Sequence, residues 1–372
     1  MVPSMKNVFS WVRWGLVCSA VTSLGACGGS SSDESSTGGS SAGGTSAGGG
    51  GSGGGGTSAG GSPGGGAPGG GAPGGGGVAG GGGTTSGGGT TGIGGATAEK
   101  CFGSKYDGLV YVDYDKFNPV VNSTCSGTNH QDIKDPEKLV FLGDSITVGT
   151  FPTPANQVYR ELLTVEAKAK WPSIEVASCA VNGAQTDDFF AGDNQIPKCF
   201  PAAEPKKTLV VMTMGGNDIK SMASKKLGAT EALAAADPVL ANMDKAVKWL
   251  KDPVNFPNGS FVVFANIYEY TDLTANLSAC PTAGLIGLTG TWEPATATLI
   301  KLREGYMKIA TDTKADMIFL GDVFCGHGYA FGDTTGQCYE PGSQNWFDIS
   351  CIHPTPEGHK QVKNLFWNTI IE

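Results

Sequence analysis

Short polar motifs contain the residues of this sequence that are best suited to chemistry. Ser145 lies in the motif GDSIT, and a serine hydroxyl attacks a carbonyl carbon only when a base removes its proton. His353, near the C-terminus, is the candidate base. Gly183 in an Asn-Gly-Ala turn and Asn217 in Gly-Gly-Asn-Asp, with the backbone N–H of Ser145, are candidate donors to the oxyanion formed during attack. This combination indicates nucleophilic acyl transfer.

The motifs follow short apolar runs that alternate with helix-like stretches. The apolar runs are typical of buried parallel strands and cover 139–142, 174–177, 208–214, 261–266 and 317–320. The helix-like stretches cover 157–170, 232–251 with Pro238 breaking or restarting the helix, 295–314 and 357–371. Such alternation predicts a parallel sheet covered by helices on both faces, with ligands bound outside the carboxyl ends of the strands. We therefore expect the oxyanion donors to converge there.

Taken together, GDSIT, the Asn-Gly-Ala turn, Gly-Gly-Asn-Asp and the C-terminal His-Pro with a following Gly resemble the four blocks of the SGNH, or GDSL, hydrolase family. The resemblance spans about 139–372. It implies a three-layer α/β/α sandwich with a flavodoxin-like parallel sheet, and ester hydrolysis through an acyl-enzyme without a metal or organic cofactor. By position, Ser145 corresponds to the nucleophile, His353 to the base, and Gly183 and Asn217 to the oxyanion donors.

One position departs from the family pattern. The family usually carries an Asp three residues before the His, where it orients the imidazole, but Ser350 stands there in this sequence. Asp348 lies five residues before His353. A loop held by Cys351 in a disulfide would let the carboxylate of Asp348 reach the imidazole nitrogen that faces away from Ser145. A backbone carbonyl can also fix the tautomer, which would leave a Ser-His dyad.

Composition separates a low-complexity N-terminal part from a domain of catalytic size. The chain has 372 residues and 60 glycines, most of them between residues 28 and 100. Its net charge of −9 argues against a nucleic-acid-binding module. Beyond residue 27, no apolar run is long enough to cross a membrane. We predict a signal peptide over 1–26, a lipidated cysteine with a disordered Gly/Ser-rich linker over 27–100, and a hydrolase domain over 101–372.

The N-terminus has the pattern of an export signal with a lipid attachment site. Lys6 and Arg13 precede an apolar stretch, 14–26, that ends in small residues just before Cys27. The string LGAC resembles the lipobox of bacterial lipoproteins, in which the new N-terminal cysteine is acylated. Several acyl chains make a lasting membrane anchor, which predicts a bacterial cell-envelope protein at the outer membrane or cell surface. The alternative is an ordinary signal peptide with an incidental Cys27 at the junction.

The cysteines that follow Cys27 are even in number. Export to an oxidising compartment favours disulfide bonds between them. They are Cys101, Cys125, Cys179, Cys199, Cys280, Cys325, Cys338 and Cys351. Eight cysteines allow 105 pairings, so the connectivity is not deducible, and the sequence-near pairs are our first expectation. A zinc site is a weak rival because the chain has no CxxC spacing.

These observations predict an exported serine esterase acting on lipid or carbohydrate acyl esters, either small molecules or polymer-borne. Narrower alternatives are a lipase, a lysophospholipase or a polysaccharide deacetylase. The apolar, Gly-rich segment 281–292 could form part of an acyl pocket or lid, or only a disulfide-pinned surface loop. A further alternative is a catalytically silent, surface-tethered binding protein on the same scaffold, because the acid is displaced from its usual position.

Overall fold

The computed structural model describes residues 97–106 and 111–372. The predicted signal peptide, the lipidation site at Cys27 and the linker up to residue 96 lie outside the described residues. Within the described ranges, none of the helices is both long enough and apolar enough to cross a membrane.

A five-stranded parallel sheet forms the centre of the domain, with strand order β2-β1-β3-β4-β5. The strands are β1 Lys138–Gly143, β2 Glu175–Ser178, β3 Thr208–Thr213, β4 Ser260–Ala265 and β5 Asp316–Ile318. The α-helices are α1 Ala98–Tyr106, α2 Ser145–Val148, α3 Tyr159–Lys170, α4 Gln195–Cys199, α5 Gly216–Ser224, α6 Ala229–Lys251, α7 Ala295–Thr313, α8 Leu320–Phe324 and α9 Pro356–Ile371. This flavodoxin-like order confirms the predicted fold class.

The sheet is covered because its central strands are apolar on both faces. All six residues of β3 are buried, and those of β1 are buried after Lys138. Two pairs of long helices flank the sheet, since α3 packs against α9 and α6 packs against α7. The strand order reverses direction between β1 and β3, which makes their carboxyl ends the switch point at which such folds bind ligands.

Helix α6 differs from the sequence prediction at Pro238. We expected a break or a restart, but one helix runs from Ala229 to Lys251 with Pro238 inside it. Proline removes the hydrogen bond to the carbonyl four residues earlier. Pro238 and Ala234 both face solvent, where water can satisfy the freed carbonyl group. The Lys301 ammonium also donates to the nearby Leu233 carbonyl at 2.7 Å.

The N-terminal part of the domain covers the outer edge of β5. Gly127 pairs with Ile318 as an isolated antiparallel bridge, and the Thr128 N–H donates to the Met317 carbonyl at 2.9 Å. A β-carbon at Gly127 would lie 2.6 Å from that carbonyl oxygen, so only glycine permits this approach. The segment therefore pairs an edge that would otherwise be open to another strand.

Four disulfide bonds join the eight cysteines. The sequence-near expectation is correct for Cys101–Cys125 and for Cys179–Cys199. It is also correct for Cys325–Cys338, which are 13 residues apart, but it is wrong for Cys280–Cys351, which spans 71 residues and encloses that bond. Sequence distance failed there because the loop after β4 and the segment before α9 meet at the same edge of the sheet.

Candidate active site

Ser145 is the first residue of α2, directly beyond the carboxyl end of β1. Gly143 pairs with Thr213 in the β1–β3 register, so the two strands end at the same level of the sheet. Gly143 has φ +130°, and a β-carbon there would lie 2.2 Å from the Thr213 carbonyl oxygen. Glycine at this position is therefore required for the sharp turn that brings Ser145 over the switch point.

The Asp144 carboxylate supports this turn through hydrogen bonds. It caps α2 by accepting the N–H of Ile146 at 3.0 Å, and it also accepts the hydroxyl of Thr213 at 2.9 Å. Burial raises the pKa of Asp144 to about 7, against the opposing effect of these hydrogen bonds. Through these contacts the Asp144 side chain holds β1 to β3 and supports the turn that contains Ser145.

His353 contacts the nucleophile candidate directly. Its Nε2 lies 2.8 Å from Ser145 Oγ, within hydrogen-bonding and proton-transfer distance. Burial lowers the pKa of His353, Asp348 opposes this shift, and Lys220 lowers the pKa further. A half-buried imidazole of low pKa is neutral at physiological pH, which is the form that can accept a proton.

The three candidate oxyanion donors lie beyond the carboxyl ends of β1, β2 and β3. The Asn217 amide nitrogen donates one hydrogen to the Ala184 carbonyl at 3.0 Å, which leaves its second hydrogen for a ligand. Gly183, immediately before Ala184, has φ +82° in an exposed turn. Across the described ranges, the backbone N–H groups of Ser145 and Gly183 have no protein acceptor. Each of the three donors therefore retains a hydrogen available to an oxyanion.

A second contact fixes the loop after β2 against α5. The Asp218 carboxylate accepts the Thr186 N–H at 3.1 Å and the Thr186 hydroxyl at 2.9 Å. Burial raises the pKa of Asp218 to about 6. With the bond from Asn217, these contacts set the distance between the turn that contains Gly183 and the start of α5.

Asp348 does not occupy the place that the sequence suggested. The group at His353 Nδ1 is the Ser350 hydroxyl, at 2.8 Å, and this hydroxyl in turn donates to Asp348 Oδ1. The loop does fold back as expected, because the Asp348 N–H donates to the His353 carbonyl at 2.9 Å. The expected direct contact between Asp348 and the imidazole is therefore wrong, since Ser350 stands between them. Sequence reasoning treated Ser350 only as a missing Asp, although its place three residues before His353 was the signal.

An apolar cavity of about 100 Å³ opens beside Ser145 and Asn217. Its walls include Leu288 and Trp292, so part of the segment 281–292 lines the cavity. The same segment also follows Cys280, which is bonded to Cys351. The segment is a disulfide-pinned loop whose inner side chains line the cavity, and its role in binding an acyl group stays a prediction.

The sequence from 139 to 366 matches the family described as GDSL-like lipase/acylhydrolase. The chain belongs to this family. The match contains Ser145, Gly183, Asn217 and His353 and covers most of the domain described above. Membership supports hydrolase activity in general, and the disulfides indicate an oxidising compartment for this GDSL family member.

Solved structures similar to this GDSL protein include several esterases and lipases. Phospholipase A1 from Streptomyces albidoflavus NA297 is 19% identical, with 63% of this chain and 99% of that chain covered and a TM-score of 0.42. A catalytic mutant of the acetylxylan esterase Axe2 from Geobacillus stearothermophilus is 18% identical, with 64% and 96% covered and a TM-score of 0.44. An extracellular lipase from Streptomyces rimosus is 17% identical, with 62% and 99% covered and a TM-score of 0.41. No curated protein sequence matches the chain.

Proposed function

We propose that the protein is an exported serine esterase that hydrolyses carboxylic esters through an acyl-enzyme. The observation that carries this proposal is the 2.8 Å contact between His353 Nε2 and Ser145 Oγ, a residue that lines an apolar cavity. A serine whose proton can pass to a neutral imidazole is an activated nucleophile. The cavity offers an apolar acyl group a place next to it.

In the proposed reaction, His353 takes the Ser145 proton as Oγ bonds to the ester carbonyl carbon. The oxyanion of the tetrahedral intermediate accepts hydrogen bonds from the Ser145 and Gly183 backbone N–H groups and the Asn217 amide. The carbon–oxygen bond to the alcohol breaks, and the alcohol leaves with the proton from His353. Water then gives a proton to His353 as its oxygen attacks the acyl carbon. The bond between this carbon and Ser145 Oγ breaks, His353 returns the proton to Oγ, and the carboxylic acid leaves.

The test is hydrolysis of p-nitrophenyl esters by the full chain, with Ser145→Ala as the control. We expect release of p-nitrophenol that depends on Ser145. The absence of Ser145-dependent hydrolysis for every ester tested would instead favour a catalytically silent, surface-tethered binding protein.

The proposed location is the bacterial cell envelope, with lipid attachment at Cys27 and the domain 101–372 held away from the membrane by the linker. An N-terminal export signal followed by small residues and cysteine supports it. Mass spectrometry of the mature protein tests it directly. An N-terminus at Cys27 that carries acyl chains is expected, and an unmodified Cys27 would contradict lipid anchoring.

A further inference from the structure

The cavity beside Ser145 has an apolar wall built from one short part of the chain. Leu277, Leu288, Trp292 and Leu299 line it, and each of these side chains is at most 5% exposed. Ser145 and Asn217 line the same cavity. These polar groups therefore lie next to a mostly apolar wall, as an acyl group requires.

The wall is held in place by several independent contacts. The Trp292 indole N–H donates to the Leu227 carbonyl at 2.9 Å, and the Trp292 backbone N–H donates to the Ala275 carbonyl at 3.0 Å. Asn276 pairs with Thr291 as an antiparallel bridge. A wall fixed at both ends and at its large side chain gives the cavity a defined size.

The volume of the cavity limits the length of the acyl group that it can hold. An apolar protein cavity of roughly 150 Å³ accommodates benzene, which has six carbons. The cavity here is about 100 Å³, so it suits a chain of about four carbons.

We propose that this cavity is the acyl-binding site and that the preferred substrates are esters of short, unbranched, uncharged acyl groups of about four carbons. The inference rests on the proposed function, in which Ser145 is the nucleophile. The acyl chain lies among Leu277, Leu288 and Trp292, and the alcohol part of the ester faces solvent. The preference excludes both long-chain lipids and acetyl groups as the best substrates.

The test is kcat/KM of the full chain for p-nitrophenyl acetate, butyrate, hexanoate, octanoate and dodecanoate. Until the cavity is full, each further methylene that it buries should raise kcat/KM about fourfold. We therefore expect butyrate, which has two more methylenes, to exceed acetate about fifteenfold and the values to fall beyond hexanoate. A maximum at acetate, or a rise through dodecanoate, would overturn the inference.

Two variants move the optimum in opposite directions. Ala223→Leu fills the cavity from α5 and should favour acetate, whereas Leu288→Ala enlarges it and should favour hexanoate or octanoate. Ala241→Leu, on the exposed face of α6, is the matched control and should leave the profile unchanged. Unchanged optima in both cavity variants would overturn the inference and leave the esterase proposal intact. If no ester shows Ser145-dependent hydrolysis, the proposed function itself fails.

An independent observation concerns the Ser350 hydroxyl. It lies 2.8 Å from His353 Nδ1 and donates to Asp348 Oδ1, and the Ser350 backbone N–H donates to that same oxygen at 2.7 Å. A hydroxyl has one proton to donate, and a carboxylate can only accept. Because the Ser350 proton is given to Asp348, its oxygen must accept the Nδ1 proton of His353. This tautomer leaves Nε2 free to accept the proton of Ser145.

We infer that Ser350 is a positioning residue that connects Asp348 to His353 and holds the imidazole in the tautomer needed by a base. The acid of the site acts through a serine rather than by direct contact. No proton moves to Asp348. Its charge orients the Ser350 hydroxyl and favours the imidazolium that forms during attack.

The test compares Ser350→Ala with Ser350→Thr. Without the hydroxyl, we expect kcat to fall on the order of ten- to a hundred-fold with KM nearly unchanged, as for other groups that orient a functional imidazole. The midpoint of the pH–rate profile should also move down, because the imidazolium loses a hydrogen-bond partner. Ser350→Thr, which keeps the hydroxyl, should remain within a few-fold of the wild type.

Ser343→Ala is the matched control, because Ser343 lies in the same loop and donates only to the Glu340 carbonyl. Asp348→Asn should lower the pH midpoint, since the charge that raises the pKa of His353 is lost. The inference is overturned if Ser350→Ala keeps kcat within about threefold and the wild-type pH midpoint. It is also overturned if Ser350→Thr loses as much activity as Ser350→Ala.

Discussion

Ser145, Gly183 and Asn217 each follow a strand of the parallel sheet, whereas His353 lies in a segment, 325–355, that contains neither helix nor strand. In the first case the strand register places the residues, because neighbouring parallel strands end at the same level. In the second case no regular hydrogen-bond pattern is available, so placement depends on individual contacts. The two parts of the site should therefore respond differently to substitutions.

Contacts from outside the C-terminal segment help to hold it in place. The Asp272 carboxylate accepts the backbone N–H groups of Gly326, Gly328 and Ala330 at 2.8–2.9 Å. The Cys280–Cys351 disulfide then ties the region just before His353 to the wall of the cavity. The comparison indicates that a sheet can position catalytic groups by register, while a loop needs cross-links to reach similar precision.

The largest expected loss of kcat comes from replacing Ser145 or His353, one residue from each part of the site. Ser145→Ala and His353→Ala should each reduce kcat on the order of 10⁴- to 10⁶-fold, because a nucleophile and its base act as a unit. The double variant should be no worse than either single variant. Kinetics of the three purified proteins with p-nitrophenyl butyrate measure this. A double variant that is slower by the product of the single effects would separate the two residues functionally.

A smaller effect is expected from the strand-end part alone. Asn217→Ala removes one oxyanion donor and should lower kcat about a hundred- to a thousand-fold, with KM little changed. The control is Asn258→Ala. This change also removes a hydrogen bond from a side-chain amide to a backbone carbonyl, but Asn258 lies on an exposed turn. Steady-state kinetics and circular dichroism of both variants provide the measurement. A folded Asn217→Ala protein with nearly normal kcat would remove Asn217 from the site.

The disulfide of the C-terminal segment should have an intermediate effect. Replacing both Cys280 and Cys351 by serine frees the loop that places His353, and we expect kcat to fall about ten- to a hundred-fold. Removing Cys101–Cys125, which lies in the N-terminal part of the domain, should lower the melting temperature but leave kcat within a few-fold. Thermal unfolding and kinetics of the two double variants separate these outcomes. Equal kcat losses would mean that the cross-links serve stability alone.

The smallest effect concerns the pH dependence of the base. Because burial lowers the pKa of His353, kcat/KM should rise with pH to a plateau, with a midpoint below the ordinary histidine value of about 6.5. Lys220→Met removes a positive charge that disfavours the imidazolium, so it should raise this midpoint. The exposed Lys225→Met variant is the control and should leave it unchanged. A wild-type midpoint above the ordinary value would contradict the burial of His353.

Much of the fold was predictable because its signals are local. Each predicted strand lies within about two residues of an observed one, since a buried parallel strand is a short apolar run whatever surrounds it. The continuous helix through Pro238 was not predictable in this way. It depends on which side of α6 faces solvent and on the Lys301 contact, and both are tertiary features.

The sequence by itself determined the strands, the residues at their ends and the identity of the nucleophile and base candidates, because neighbouring residues in the chain specify these. Tertiary structure alone decided that Ser350 connects Asp348 to His353, that Cys280 pairs with Cys351, and how large the cavity is. These features depend on how loops close between distant parts of the chain. Loop closure has no periodic pattern in the sequence, so it follows only from the packed sheet and the contacts around it.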